Sequence, residues 1–312
     1  MGTSNLRTFT RKGNLIGDSD EPDGNVFEGI LNRLIPFVSR VRDQYRHAAL
    51  GIAFVLFIVG GLAALQRVDV DLKGSAWPIL AAVALLGVPP MMILNAAEVR
   101  AAARLSSNVE LGWRPAIETA VTGTAANLLP IPGATLVRID ALAAAGASTS
   151  DALRSNVAVG AIWVSVSAAI SAAILAGISA VTAIIALSVA LAAGSLAKVA
   201  LGDRHDWSWL GMVLAIEVAS LGLTAARLWA IGSALGTNIG GQHAIVIASS
   251  YAVTSAVSIF PGGLGLREGL SSGLALVVGL PGSTGFVVSA VDRLLGFAIH
   301  LPMTAALSAR RR

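Results

Sequence analysis

The stretch Ser258-Ile259-Phe260-Pro261-Gly262-Gly263-Leu264-Gly265-Leu266-Arg267-Glu268-Gly269 decides how the whole chain reads. It separates two apolar runs, each too short to cross a bilayer comfortably. Pro261 has no N–H to donate, and Gly262, Gly263 and Gly265 crowd the positions after it, so a regular helix breaks here. A charged pair, Arg267 and Glu268, follows at once. Broken backbone beside charge is tolerated in a membrane only where protein surrounds it or a polar cavity opens onto it. The stretch therefore predicts one half of a substrate site.

Composition places that site in a membrane. The chain has 312 residues, 55% hydrophobic and only 13% charged, where a soluble domain carries roughly a quarter charged residues. Its mean hydropathy is +0.75. Several apolar runs reach the roughly 20 residues that span a bilayer. The 33 glycines suit helices that pack closely in lipid. The formal charge of +4 comes from basic residues that flank apolar runs, which is a membrane-surface pattern, and nucleic acid is not an expected partner. The absence of cysteine excludes disulfides, thiolate nucleophiles and thiolate metal sites. Residues 1–25 are polar, with no signal-peptide pattern.

Taken in order, residues 1–47 read as a cytosolic leader. It has a disordered start and an amphipathic interfacial helix over 26–46, where Phe27, Ile30, Leu31, Leu34, Val38 and Val41 recur at helical spacing. That helix lies on an anionic membrane face or packs on the protein's own cytosolic loops. Residues 48–308 form the membrane domain, and 309–312 a basic cytosolic tail. Six spans are expected: Ala48–Leu65, Trp77–Ala97 with a kink at Pro89-Pro90, Asn156–Leu175, Ser179–Ala200, Leu210–Ile231 and Gly285–Leu307. Two further segments, 115–145 and 243–280, are interrupted by Pro130-Ile131-Pro132-Gly133 and by the opening motif. They read as re-entrant helical hairpins. Lys and Arg at the span ends put both termini in the cytoplasm. A multi-pass protein of the cell (plasma) membrane is expected. The first hairpin enters from the cytoplasm and the second from outside.

Two pieces of sequence recur. Pro132-Gly133 followed by Arg138 matches Pro261-Gly262 followed by Arg267, with Asp140 and Glu268 close behind each arginine. Upstream, Ala102-Ala103-Arg104-Leu105 matches Ala225-Ala226-Arg227-Leu228. Each copy holds three spans and a hairpin, about 48–176 and 178–308. An odd number of spans gives the copies opposite topology. Inverted repeats with discontinuous helices are a transporter architecture. The fold class read from sequence is thus all-α: a polytopic membrane protein of about six full transmembrane helices plus two re-entrant helical hairpins in two inverted repeats.

The chemistry follows from the breaks. Half-helix N-termini favour anions, and Arg138 and Arg267 can add bidentate contacts to a phosphate or carboxylate. Asp140 and Glu268 balance that charge or bind a headgroup amine. The competing reading makes Arg138–Asp140 and Arg267–Glu268 internal ion pairs that hold the hairpins together. Glu217, Arg227, Asp292 and Arg293 line the same cavity or snorkel to the surface. Gly269-Leu270-Ser271-Ser272-Gly273, with Asp292 and His300 following, fits a hydrolase elbow. An apolar half-helix is the wrong context for that elbow, and Gly269 and Gly273 also fit a G-x-x-x-G packing face. The chain is read as not an enzyme. The other histidines show no metal spacing, no phosphate-cradling loop is present, and no cofactor is expected.

The segment from Pro261 to Glu268 resembles the P-G-G-x-G-x-R-E signature of the lysylphosphatidylglycerol synthase/flippase membrane domain family. Asn127-Leu128-Leu129-Pro130 with Gly133 and Arg138 is similar to that family's upstream segment, and Arg104 to the arginine closing its second span. Ala134 and Thr135 depart from the usual Gly-rich turn. The resemblance covers roughly residues 48–308. It implies a flippase or transporter that moves an anionic or aminoacylated phospholipid, or a lipid-linked anion, between leaflets. It also implies membrane lipids as partners, allows a homodimer, and makes a separate lipid-modifying enzyme a candidate partner. The sequence stops at Arg312, so the family's soluble transferase activity is not expected. The substrate-binding set is Asn127, Arg138, Asp140, Glu217, Arg227, Arg267 and Glu268. The helix-breaking set is Pro130, Pro132, Gly133, Pro261, Gly262, Gly263 and Gly265. Two alternatives remain: a small-solute or ion-coupled transporter of the same fold, and a non-transporting membrane scaffold for an envelope-lipid enzyme.

Overall fold

The computed structural model describes residues 76–126, 133–202, 206–256 and 265–309. The leader, the first expected span, and Asn127, Pro130, Pro132, Pro261, Gly262 and Gly263 lie outside these residues. Among the described residues the chain is all-helical, with ten α-helices and one π turn. Helix α1 (Ala76–Ala82) runs through the π turn (Val83–Gly87) into α2 (Val88–Ser107). After it come α3 (Trp113–Ala126), α4 (Gly133–Ala144), α5 (Thr149–Leu175), α6 (Ala180–Leu201) and α7 (Trp207–Ala234). The last three are α8 (Gly241–Ala256), α9 (Leu266–Val277) and α10 (Gly282–Ala309). Among the described residues, five helical stretches are long and apolar enough to cross a membrane: Ala76–Leu105, Thr149–Leu175, Ala180–Leu201, Trp207–Ala234 and Gly282–Leu307.

These stretches begin earlier or end later than the hydropathy pattern predicts, because charge ends an apolar window without ending a helix. The second expected span continues past Glu98, Arg100 and Arg104 to Ser107. Helix α5 starts at Thr149, where the Ser148 Oγ accepts the Asp151 N–H at 3.1 Å. Helix α7 starts at Trp207, capped by Asp206. The Ser208 hydroxyl and N–H both donate to the Asp206 carboxylate, at 2.6 and 2.8 Å, and hold it below the usual carboxylate range. The expected kink at Pro89-Pro90 takes a different form. The two prolines, which lack N–H donors, occupy the first turn of α2, and the wide π turn stands directly before them. Gly87 closes that turn. A Cβ there would lie 2.9 Å from Cγ of Arg227, so the glycine gives the arginine its path.

Helix α7 carries tryptophans near both ends, Trp207 (74% exposed) and Trp229 (52% exposed). Twenty-two residues of helix separate them by about 33 Å, which matches a hydrocarbon core of about 30 Å with an aromatic anchor at each face. Helix α6 turns Val181, Ile184, Ile185, Leu187, Leu191 and Val199 outward and buries only Ala190, Ala197 and Ala200. It packs on α5, where Gly194 lets the Ser165 hydroxyl reach Ala190 O at 2.8 Å. The other helices are short. Helices α3, α4, α8 and α9 have 14, 12, 16 and 12 residues, so each is about 18–24 Å long, less than a bilayer core. Helix α3 packs on α4, and α8 on α9.

The helix contacts come in matched sets. Helix α2 packs on α3 and α5, as α7 packs on α8 and α10. Helix α4 packs on α5, as α9 packs on α10. Across the halves, α5 meets α8 and α10 meets α3, while α2 and α7 meet each other. Close packing uses small residues, but not the pair expected. Helix α9 buries Glu268, Ser271 and Ala275 at helical spacing, which leaves Gly269 and Gly273 exposed, with open space around them. The close approach is instead made by Gly285 of α10. A Cβ there would fall 2.2 Å from the Ser271 carbonyl oxygen. Gly285→Ala is expected to lower stability by about 1–3 kcal/mol through overpacking, while Gly273→Ala is neutral or stabilising. Thermal unfolding of the two variants in detergent distinguishes these outcomes.

Candidate functional site

Helix α9 starts at Gly265, whose φ of 76° favours glycine. Three residues on, the fully buried Glu268 reaches back. Its Oε2 accepts the Gly265 N–H at 2.9 Å, and its Oε1 accepts Arg293 Nε at 2.7 Å. The anion favoured at this helix N-terminus is thus supplied by the protein's own carboxylate. Glu268 is a cap and an ion-pair partner, and both of its oxygens are engaged.

Arg267 leaves the helix in another direction. Its Nη2 donates to Ser289 O at 3.0 Å, and its guanidinium stacks over the Tyr251 ring at 4.0 Å. Glu268 is a loose neighbour at 3.9 Å, since adjacent helical residues do not face each other. Asp292 lies 3.7 Å from Arg267 Nη2. It accepts Arg227 Nη2 at 2.5 Å and the Tyr251 hydroxyl at 2.9 Å. Helices α7, α8, α9 and α10 thus bring three arginines, Arg227, Arg267 and Arg293, against two carboxylates, Glu268 and Asp292. The Nε atoms of Arg227 and Arg267 have no hydrogen-bond acceptor among the described residues. The adjoining residues 257–264 contribute no ionisable side chain. Among the described residues, the arginines of this centre outnumber its carboxylates by three to two.

A second charged cluster lies on helices α2, α4 and α7. Arg138 of α4 donates Nη1 to Glu98 of α2 at 2.5 Å. Asp140 is exposed and is not part of this pair. Residues two apart on a helix point to different sides, so the Arg138–Asp140 pair of the competing reading gives way to Arg138–Glu98. Glu217 of α7 is 2% exposed, and Glu98 and Arg138 are the charged groups that bear on it. Its Oε1 has no hydrogen-bond donor among the described residues. Among the described residues two carboxylates stand near one arginine, which pairs with Glu98, so with both ionised they outnumber it by one negative charge.

Helix α7 joins the centres. Glu217, Ser220, Thr224 and Arg227 are all buried, at spacings that keep them on one side of the helix. Ten residues of helix put the charged ends about 15 Å apart. The sequence match of Arg104 with Arg227 does not carry equal surroundings. Arg104 pairs with Glu110 near Trp209 and is partly exposed, whereas Arg227 is buried.

Of the residues singled out from sequence, Arg227, Arg267 and Glu268 come together in one centre, and Arg138 and Glu217 belong to the other. Gly133 opens α4, where a Cβ would sit 2.1 Å from Ala126 O. Glu98, Tyr251 and Ser289 were not singled out. Tyr251 had a usable signal, since it is one of only two tyrosines in the chain and stands in an apolar half-helix. Each member of the hydrolase grouping has another partner. Ser271 Oγ is 2.8 Å from Ser250 Oγ, Asp292 is held by Arg227 and Tyr251, and His300 Nδ1 lies 2.7 Å from Gly296 O. No protein-family model, no curated protein and no solved structure matches the chain.

Proposed function

We propose that the chain is a transporter of the lysylphosphatidylglycerol synthase/flippase membrane domain type. It would move the anionic headgroup of a phospholipid or lipid-linked anion between leaflets while the apolar tail stays in lipid. One observation carries this reading: a buried centre where, among the described residues, three arginines meet two carboxylates and two Nε donors have no acceptor. An uncompensated charge away from water costs several kcal/mol, and an anion that enters and leaves supplies the compensation. Arg267 is the headgroup ligand in this reading, because its side chain, 16% exposed, is the most accessible of the three. Arg227 and Arg293 stay with Asp292 and Glu268.

The matched helix contacts support two repeats, α2–α5 and α7–α10, each with a short helical pair as a re-entrant hairpin. With Ala48–Leu65 as a further span, the topology has six crossings and both termini in the cytoplasm, in the cell membrane. Moving the headgroup between leaflets then requires access to Arg267 from each side in turn.

A free anion offers the same chemistry as a headgroup, and one experiment separates them. The protein is released from nanodiscs of mixed anionic and zwitterionic phospholipid and weighed intact by native mass spectrometry. Retained lipid is expected to be enriched in the anionic species and to resist displacement by inorganic phosphate. Retention in the bulk ratio contradicts anion recognition. Displacement by phosphate favours a small-solute transporter.

A further inference from the structure

The negative centre poses a question that the headgroup alone does not answer. Glu217 is buried in the middle of α7, with one oxygen lacking a donor among the described residues. Its charged neighbours are Glu98 on α2 and Arg138 on α4, and Arg138 already donates to Glu98 at 2.5 Å. Further along α7 lies Arg227, and on the helices packed there are Asp292 of α10 and Tyr251 of α8, all belonging to the positive centre. Burying a carboxylate without a paired cation or a hydrogen bond is heavily unfavourable. A hard metal cation takes about six or more oxygen ligands, and among the described residues no group of three metal-ligating side chains forms. A proton needs one oxygen, and the bare Oε1 of Glu217 provides it.

We infer that Glu217 is the site of a coupling proton, carried together with the anion. This rests on the transport reading above. With both sites empty, the positive and negative excesses attract each other along α7. An anion at Arg267 cancels the positive excess and leaves the negative one unopposed, so it strengthens proton binding at Glu217. By linkage the proton strengthens anion binding equally. For unit charges about 15 Å apart at an effective dielectric near 20, the coupling is about sixfold in affinity. The loaded protein is neutral at both centres, and a monovalent anion crosses with one proton. Ser220 and Thr224 lie between the centres on the same buried side. The Ser220 hydroxyl has no hydrogen-bond partner among the described residues.

The test has two readouts on the full chain in lipid. Infrared difference spectra of the wild type should contain the carbonyl stretch of a protonated carboxyl group. Glu217→Gln should abolish it. Glu98→Gln should abolish it as well, because Arg138 is then free to pair with an ionised Glu217. The second readout is proton uptake, followed with a pH-sensitive dye, on adding short-chain phosphatidylglycerol. The wild type should take up a fraction of a proton, at most about 0.4 per bound anion for a sixfold coupling, and bind about sixfold more tightly with Glu217 protonated than with it ionised, a difference set by the Coulomb coupling. Glu217→Gln should take up none and bind independently of pH. A carboxyl band that survives in folded Glu217→Gln overturns the assignment, as does proton uptake equal to that of the wild type. Failure of the lipid to bind at all would sink the transport reading instead, and the infrared band would still decide whether Glu217 holds a proton.

Discussion

Glu268→Ala is expected to destabilise the folded protein by about 3–5 kcal/mol, the range for removing one partner of a buried ion pair. Glu268 is fully buried and holds two groups at once, Arg293 and the Gly265 N–H at the start of α9. Its loss removes the carboxylate that accepts from Arg293 Nε and uncaps a helix. Removing both charges, as in Glu268→Leu with Arg293→Met, should recover much of the loss, because no uncompensated charge remains. Denaturant or thermal unfolding in detergent reads both effects. If the single variant is as stable as the wild type, Glu268 is not the buried cap described here.

Arg267→Ala is expected to act on transport and leave the fold nearly untouched. The remaining charges then pair off as Arg227–Asp292 and Arg293–Glu268. The positive excess is gone and nothing draws an anion in. A hydrogen bond involving a charged group is worth about 1.5–3 kcal/mol, so transfer of an anionic headgroup should fall about 10- to 100-fold by the tenfold-per-1.4 kcal/mol rule. Arg267→Lys keeps the charge and loses the planar fork that stacks on Tyr251, so its loss should be smaller. A uniform loss of stability in both variants, with transfer per folded molecule unchanged, would make Arg267 purely structural.

Much of the architecture was legible in the sequence because lipid imposes few solutions. Apolar runs of the right length become helices, and prolines with clustered glycines mark where helices end. Gly265 caps α9 and Gly133 opens α4, as their position beside the breaks implies. The pairings were less legible, because proximity in sequence is not proximity on a helix. Asp140 is two residues from Arg138 and points elsewhere, while Glu98, forty residues away, is the partner. The sequence pattern makes Glu268 a headgroup ligand or the partner of Arg267. It belongs mainly to Arg293 and the Gly265 N–H, since a side chain at the third helical position reaches back to its own cap. Gly269 and Gly273 fit a packing motif by spacing, yet the buried face of α9 is set by Glu268, Ser271 and Ala275. The close contact came from Gly285, on another helix.

Leaflet-resolved transfer of a fluorescent anionic phospholipid in liposomes bears most directly on the proposed function. Purified wild-type protein should move the label between leaflets well above the rate of protein-free vesicles and faster than a zwitterionic analogue, and Arg267→Ala should not. Transfer by the wild type at the protein-free rate, or equal transfer by wild type and Arg267→Ala, would contradict it.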